Sequence, residues 1–559
     1  MTTVADLLAS TLAEIGVRQI FGIVGDALNP FTDAIERQHE LTWIGVRHEE
    51  GAALAAAGQA KLTGRLGVCC GTTGPGGTHL VAGLYEARKD HAPVLAITGD
   101  VEQAKAGTDG LQENSPDLLF RDVSVYTTTI ATAEQAPAAI RAAIAAAYGE
   151  RGVAHISVPP EVFKAKVSGQ VPSLATLRPR PEVAPAPEDI AALADRIERA
   201  KSVTLMVGFG CRGAAAEVSA LAGRLHAPVV HTYRALDLLP FEHPYNIGGI
   251  GLIGGRPGTD AVADADLLVM LGTDYPYTEF LPDHGRVVQV DERAQVLGRR
   301  APVALGVVGS VRPALAMLLE HLPQRDDTKF LDRARKARET WVEMLSQKAD
   351  PARAGKLVHP QAVARALSDA AADDAVHVSD TGEVTLWAGN WLRPKAEQRV
   401  VGSFNNAAVG TGLGMANGIA ALDPARQVIL HVGDGGMTML LGEFMTAVEH
   451  KLPVKAVVYD NGGWGLVHFE MEGAGYPAAK GTGFTNPDFA AFARACGAHG
   501  FTVKEPGELL PAVTTFLATE GPAILHVLTD PAEIPAMPHI KPAQALRFGI
   551  AKVRELVGV

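Results

Sequence analysis

Short, almost continuous apolar runs alternate with longer stretches of helical period along most of the chain. R-Q-I-F-G-I-V near residue 20, L-G-V-C-C-G-T near 70 and P-V-L-A-I-T-G near 97 are the first of these runs. Such runs predict strands covered on both faces, and the helical stretches between them predict crossovers joining parallel strands. The alternation stops at V-P-S-L-A-T-L-R-P-R-P-E-V-A-P-A-P, whose prolines can continue neither a helix nor an inner strand. It resumes with V-T-L-M-V-G, P-V-V-H-T, L-L-V-M-L-G and V-V-Q-V-D. The charged D-D-T-K-F-L-D-R-A-R-K-A-R-E-T-W then separates these from A-V-H-V-S-D, Q-V-I-L-H-V-G-D and V-K-A-V-V-Y-D-N. The pattern predicts an α/β fold of three doubly wound parallel-sheet domains. They cover residues 1–170, 188–325 and 356–559, joined by a Pro-rich linker at 171–187 and an exposed linker helix within 326–355. No short-period repeat is visible.

Composition narrows what such a fold can do. A chain of 559 residues exceeds one hydrophobic core, which agrees with several domains. A formal charge of -12, with no Lys and Arg block to override it, excludes a nucleic-acid partner. No run of about 18 apolar residues occurs, so no membrane span is expected. The start, M-T-T-V-A-D-L-L-A-S, lacks the basic and apolar regions of a secretory signal. Cys69, Cys70, Cys211 and Cys496 are too few and scattered for a disulfide framework, which favours a reducing cytoplasm.

Candidate chemistry concentrates at two loops. Q-V-I-L-H-V runs into G-D-G-G at 433–436, a helical stretch follows, and V-K-A-V-V-Y runs into D-N-G-G at 460–463. Both loops sit at the carboxyl ends of strands joined by a crossover, where open α/β sheets bind ligands. Asp434 offers a carboxylate and Asn461 an amide oxygen, 27 positions apart, and the glycines allow close backbone approach. Either loop alone is an ordinary turn sequence; the pair suits a magnesium–diphosphate site. R-H-E-E at 47–50 places two carboxylates against the small residues G-A-A-L-A-A-A-G, and by itself reads as acids at a helix start. G-F-G-C-R-G at 208–213 follows a strand and satisfies a dinucleotide fingerprint, but P-V-V-H-T ends without the acidic ribose partner that NAD requires.

With those loops in view, the chain resembles thiamin diphosphate-dependent enzymes, whose cofactor signature begins G-D-G and ends in asparagine at about this spacing. The stretch G-P-G-G-T-H-L-V-A-G-L-Y-E-A-R-K-D-H-A-P-V-L-A-I-T-G-D, with G-T-D-G-L-Q-E-N-S-P, I-G-L-I-G, G-T-D-Y-P-Y and G-S-F-N-N, is similar to the pyruvate oxidase and pyruvate:quinone dehydrogenase branch. The resemblance implies a pyrimidine-binding first domain, a central FAD-type domain and a diphosphate-binding third domain. It implies metal ligation by Asp434, Asn461 and the carbonyl of Gly463, although the first asparagine of the usual pair is Asp460 here. It aligns Glu49 with the carboxyl that hydrogen-bonds the cofactor pyrimidine, while Glu50 remains a helix-start acid. Gly25, Asp26, Thr73, Gly74, Gly382, Glu383, Gly433, Gly435, Gly436, Gly465 and Leu466 fall in its cofactor-binding segments. Ala407 takes the position that offers a carbonyl to the 4'-amino group, and Val409 that of the side chain wedging the cofactor into its bend, smaller than the usual methionine or isoleucine.

Gln112 and Glu470 align with catalytic positions near the reacting carbonyl, beside Leu111, Leu466 and Val467. His79 reads either as cofactor lining or as a satisfied structural histidine. Gly208, Gly210, Arg234, Gly251, Thr273 and Asp291 match FAD contact regions, against the alternative of a retained fold without flavin. The activity implied is oxidative decarboxylation of a 2-oxo acid, with pyruvate favoured, giving acetate or acetyl phosphate and CO₂. Electrons pass to FAD and on to quinone or oxygen. A homodimer or dimer of dimers is implied, because Glu49 and the diphosphate site of one cofactor come from different subunits in relatives. The alternatives are a carboligase of the acetolactate synthase type, an acyltransferase or a non-oxidative decarboxylase, with structural or absent FAD; a catalytically silent homologue is opposed by the intact Glu49, Asp434 and Asn461. Quinone-linked relatives end in a lipid-binding segment; the terminal A-K-V-R-E-L-V-G-V is expected to stop short of it, which weakens but leaves open a peripheral contact at the inner membrane face.

Overall fold

The computed structural model describes residues 2–177, 181–282, 285–353, 355–477 and 481–536, with 538, 547, 550 and 551. The expectation about the terminus falls on 551–559, of which 552–559 lie outside the described residues. Among the described residues, eighteen strands form three six-stranded sheets in which every strand pair is parallel. The first sheet holds β1 (Gln19–Gly22), β2 (Thr42–Gly45), β3 (Gly67–Gly71), β4 (Val94–Gly99), β5 (Tyr126–Thr129) and β6 (Val153–Val158). The second holds β7 (Val203–Val207), β8 (Val229–His231), β9 (Asn246–Gly249), β10 (Leu267–Leu271), β11 (Val287–Asp291) and β12 (Leu305–Val308). The third holds β13 (Val376–Ser379), β14 (Arg399–Gly402), β15 (Val428–Gly433), β16 (Val454–Asp460), β17 (His499–Val503) and β18 (Ala523–Leu528).

The first and third sheets share one topology, β2-β1-β3-β4-β6-β5 and β14-β13-β15-β16-β18-β17, whereas the second runs β12-β11-β10-β7-β8-β9. The second order reverses between β10 and β7, the doubly wound arrangement that opens a crevice at the switch point. Inner strands are mostly apolar because helices cover both faces; every residue of β3, β4, β7 and β10 is buried. Cys69 and Cys70 are free and buried in β3, as small apolar fillers.

Two elements depart from the expected pattern. Helix Pro187–Arg199 takes Pro187 as its first residue, where a missing N–H costs nothing, so the irregular stretch ends one residue early. The single helix expected after G-D-G-G is two, Asp434–Met439 and Glu443–Glu449, because Leu440 leaves helical geometry at φ -127° and ψ 40°. The charged stretch forms helix Lys329–Lys348, largely exposed but with Leu331, Ala334 and Leu345 buried. Among the described residues no helix is long and apolar enough to cross a membrane.

The first and third sheets are joined by helices Glu49–Thr63 and Gly412–Leu422, each following the second strand of its sheet. They approach until a Cβ on Gly418 would lie 2.1 Å from the carbonyl oxygen of Ala55, and one on Gly58 would lie 2.7 Å from that of Met415. The run G-A-A-L-A-A-A-G is therefore a packing face, which its near-absence of polar atoms already implied.

Candidate active site

The carboxyl ends of β13, β15 and β16 are neighbours, so the loops that leave them converge. Asp434 opens its helix directly after β15, and its Oδ2 accepts the N–H of Gly462 at 2.8 Å and of Gly463 at 3.1 Å. Gly462 stands at φ +74°, which turns these donors toward the carboxylate. Asn461 Oδ1 accepts from Gly463 N at 3.1 Å, and its Nδ2 donates to Glu383 Oε2 at 3.0 Å. Gly465 is pressed against the same pair, since a Cβ there would lie 2.2 Å from Glu383 Oε2. Gly382, at φ +126°, precedes Glu383 at the head of helix Glu383–Trp391. Gly435 admits the Trp464 ring and Gly436 the Asp380 carboxylate, each at a separation no Cβ would tolerate. Gly433 faces open space.

Burial dominates the electrostatics here. It pushes Asp434 up to about 6, against a hydrogen bond from Asn486. It pushes Glu383 up to about 7, with the hydrogen bond from Asn461 opposing and the Asp434 charge adding. Carboxyls held up by desolvation stand to gain from a cation, and the donors are hard oxygens with the buried Oδ1 of Asn486 lacking a partner. This set fits Mg²⁺, and the helix starts at Glu383 and Gly465 supply backbone donors for a diphosphate.

Glu49 lies in the first sheet's helix, buried, with His48 as N-cap accepting from Glu50 N. Its Oε2 is 2.8 Å from Nδ1 of His79, whose ring stacks on His48 at 4.5 Å. His79, for which two roles were open, thus touches the predicted proton partner. Thr73 is buried and Gly74, at φ +67°, heads helix Pro75–Asp90. Gly25 packs on Thr72 and precedes the turn in which Asp26 accepts from Ala27 N. Gln112, at φ +64°, and Leu111 are exposed in the loop that packs on Gly74. Glu470 and Val467 are exposed on helix Gly465–Ala474, with Leu466 half-buried.

The loop Gly402–Thr411 links the sheets. Ala407 adopts φ +55°, a left-handed conformation that needs outside support in a residue with a Cβ. One flank is held by the first sheet's helices: Ser403 Oγ donates to Glu86 at 2.6 Å, Asn405 Nδ2 donates to Asp90 at 2.8 Å, and buried Lys61 bridges Glu86, Asp90 and the carbonyl of Gly402. The other flank is held by Asp380, which accepts from Gly410 N and Thr411 N at 3.1 and 3.2 Å. Val409 lies half-buried between them.

A cavity of about 780 Å³ opens at the switch point of the second sheet. Gly210, Thr273, Asp291 and Arg234 line it, and it extends to Phe404, Asn405 and Ala407. Gly208 permits close packing on Thr273, and Gly251, at φ +78°, packs on the Tyr275 hydroxyl. Arg234 spans the cavity and the junction, lying over Phe209 and bonding the Asp90 carbonyl at 3.0 Å.

Three residues of the site escaped sequence reasoning. Asp380 stands where A-V-H-V-S-D ends, so its position at a strand's carboxyl end was a usable signal. Glu443 is a buried carboxylate in an apolar helix, the feature that drew attention to R-H-E-E. Asn486, which bonds both Asp434 and Asp460 at 2.8 Å, carries no local signal.

Models of the thiamine pyrophosphate enzyme N-terminal TPP binding domain, central domain and C-terminal TPP binding domain match residues 2–119, 190–318 and 380–527. YdaP of Bacillus subtilis (strain 168), provisionally described as thiamine pyrophosphate-containing, is 36% identical over 94% of this chain and 91% of its own length. A pyruvate oxidase of Lactiplantibacillus plantarum is 31% identical over 93% of this chain and 88% of its own. Acetolactate synthase isozyme 1 large subunit of Escherichia coli is 28% identical over 97% and 96%.

Proposed function

This chain belongs to the thiamine pyrophosphate enzymes, and from that premise we propose that it oxidatively decarboxylates a 2-oxo acid, pyruvate in the first instance, with FAD in its central cavity. The observation that carries the reading is the reach of that cavity: it begins at the second sheet's switch point and ends at the loop bearing Ala407. An occupant so placed adjoins the site it would exchange electrons with. The cationic wall, with Arg234, Arg293 and Arg299, suits a pyrophosphate, and Asp291 offers an acceptor for a ribose hydroxyl.

Thiamin diphosphate, when bound, supplies the carbon nucleophile for the keto group, and FAD, when bound, takes the two electrons released as the acyl carbon reaches the acid level. The chain's own residues bind and orient. Asp434, Asn461 and the Gly463 carbonyl would hold Mg²⁺, and the helix starts at Glu383 and Gly465 would bind the diphosphate. Glu49 shares a proton with the pyrimidine N1', and its buried setting strengthens that hydrogen bond. Ala407 would offer its carbonyl to the 4'-amino group, Val409 would pack against the cofactor, and Gln112 and Glu470 would contact substrate from their exposed positions. The oxidant the reaction would need beyond FAD is a quinone, oxygen or another electron acceptor.

The resemblance to acetolactate synthases supports a second reading, carboligation with FAD structural or absent. Purified protein given pyruvate separates the two. Yellow protein that reduces an artificial acceptor in step with CO₂ release supports oxidation. Acetolactate without acceptor reduction, or protein unable to retain FAD, overturns it.

A further inference from the structure

The break at Leu440–Gly442 redirects the chain so that Glu443 opens the next helix facing the first sheet. Its side chain is 1% exposed, and its Oε1 accepts the backbone N–H of Arg47 at 3.0 Å and of His48 at 2.9 Å. Oε2 accepts from Thr446 Oγ1 at 2.9 Å. A buried carboxylate is costly unless hydrogen-bonded, and these donors meet that need. Gly51 makes the room: a Cβ there would lie 2.4 Å from the Glu443 carboxyl carbon. Two further contacts join the same segments, Arg47 with Glu449 and His450 Nε2 with the Gly45 carbonyl at 3.1 Å. Every tie falls on residues 45–48, directly before Glu49. Helix Glu49–Thr63 holds His48 only through its ring and carbonyl, which accept from Glu50 N and Ala52 N; the N–H groups of Arg47 and His48, which precede the helix, are taken up by Glu443.

We propose that Glu443 is a positioning residue for Glu49: delivered from the third sheet into the gap left by Gly51, its carboxylate fixes the turn from which the Glu49 side chain reaches the cofactor. The inference rests on the reading of Glu49 as the cofactor's proton partner. In the implied dimer, the segment that begins at Asp434, a ligand for one cofactor's metal, ends by orienting the Glu49 that serves the other cofactor.

The test is exchange of the cofactor C2 proton with deuterated solvent, measured by NMR after acid quench on protein loaded with thiamin diphosphate and Mg²⁺, which needs neither substrate nor acceptor. Gly51→Ala should slow exchange about 10-fold to 100-fold, as expected for a misplaced catalytic group, and Glu443→Ala about 100-fold. Glu443→Gln, whose amide oxygen still accepts from both N–H groups, should stay within a few-fold of wild type. Cofactor affinity should hold in all three. Wild-type exchange in Gly51→Ala overturns the proposal even if Glu443→Ala fails to fold. So does a loss of cofactor affinity that parallels the slowed exchange, or Glu443→Gln as slow as Glu443→Ala. Wild-type protein that exchanges no faster than free cofactor overturns the reading of Glu49 itself, and this proposal with it.

Discussion

The first and third sheets have the same strand order, yet their corresponding loops have diverged in chemistry. After its second strand the first unit presents R-H-E-E and a carboxyl at Glu49; the third presents S-F-N-N-A-A-V-G and a left-handed Ala407. After its third strand the first unit has T-T-G-P-G-G, with no acid, and the third has G-D-G-G with Asp434. Topology sets where loops emerge, and loop composition sets what they bind. The two units pack through equivalent helices, so neither site is independent of the other's scaffold.

That division of labour can be broken at several points. Glu49→Gln should remove turnover by about 10²-fold to 10⁴-fold while diphosphate and Mg²⁺ still bind, checked by steady-state rates beside calorimetry. Near-normal turnover would dissolve the assignment of proton work to the first unit. Asp434→Ala should weaken Mg²⁺-dependent cofactor binding by at least about 100-fold, because in the proposed site it removes a ligand rather than a neighbour of one. An unchanged affinity would place anchoring elsewhere. Gly418→Ala should destabilise by about 1–3 kcal/mol in denaturant unfolding, since the new Cβ meets the Ala55 carbonyl across the shared helix face. Helix propensity alone predicts the opposite sign, a gain of about 1 kcal/mol.

The smallest effect is a pH dependence of the cofactor-free protein. Burial holds Asp434 up at about 6, above its unfolded value, so the folded state binds the extra proton and loses stability as pH rises through about 6. Asp434→Asn lacks this loss. Its melting temperature relative to wild type should rise between pH 5 and about 7, and Mg²⁺ with thiamin diphosphate should raise wild type selectively. A flat difference would mean that the carboxylate is already compensated.

Much of this is legible in the sequence. Strand ends, the G-D-G-G and D-N-G-G loops and the small-residue helix after R-H-E-E all rest on local pattern, and local pattern survives folding when both faces of a strand are covered. Asp380 and Glu443 were readable in principle by the rules applied to Asp434 and Glu49, an acid at a strand's carboxyl end and an acid among apolar neighbours. Their partners were not. Glu443 meets Arg47 and His48 across 396 and 395 positions, and Lys61 meets Gly402 across 341.

The sequence by itself determined the three α/β units and the family, because periodicity and loop composition act over a few residues. Only the tertiary structure decided that the first and third units are topological twins, that Gly51 and Gly418 are openings rather than flexible points, and that Glu443 holds the turn before Glu49. Those facts depend on which surfaces meet, and close packing between distant segments is set by shape and hydrogen-bond geometry that no short stretch of chain encodes.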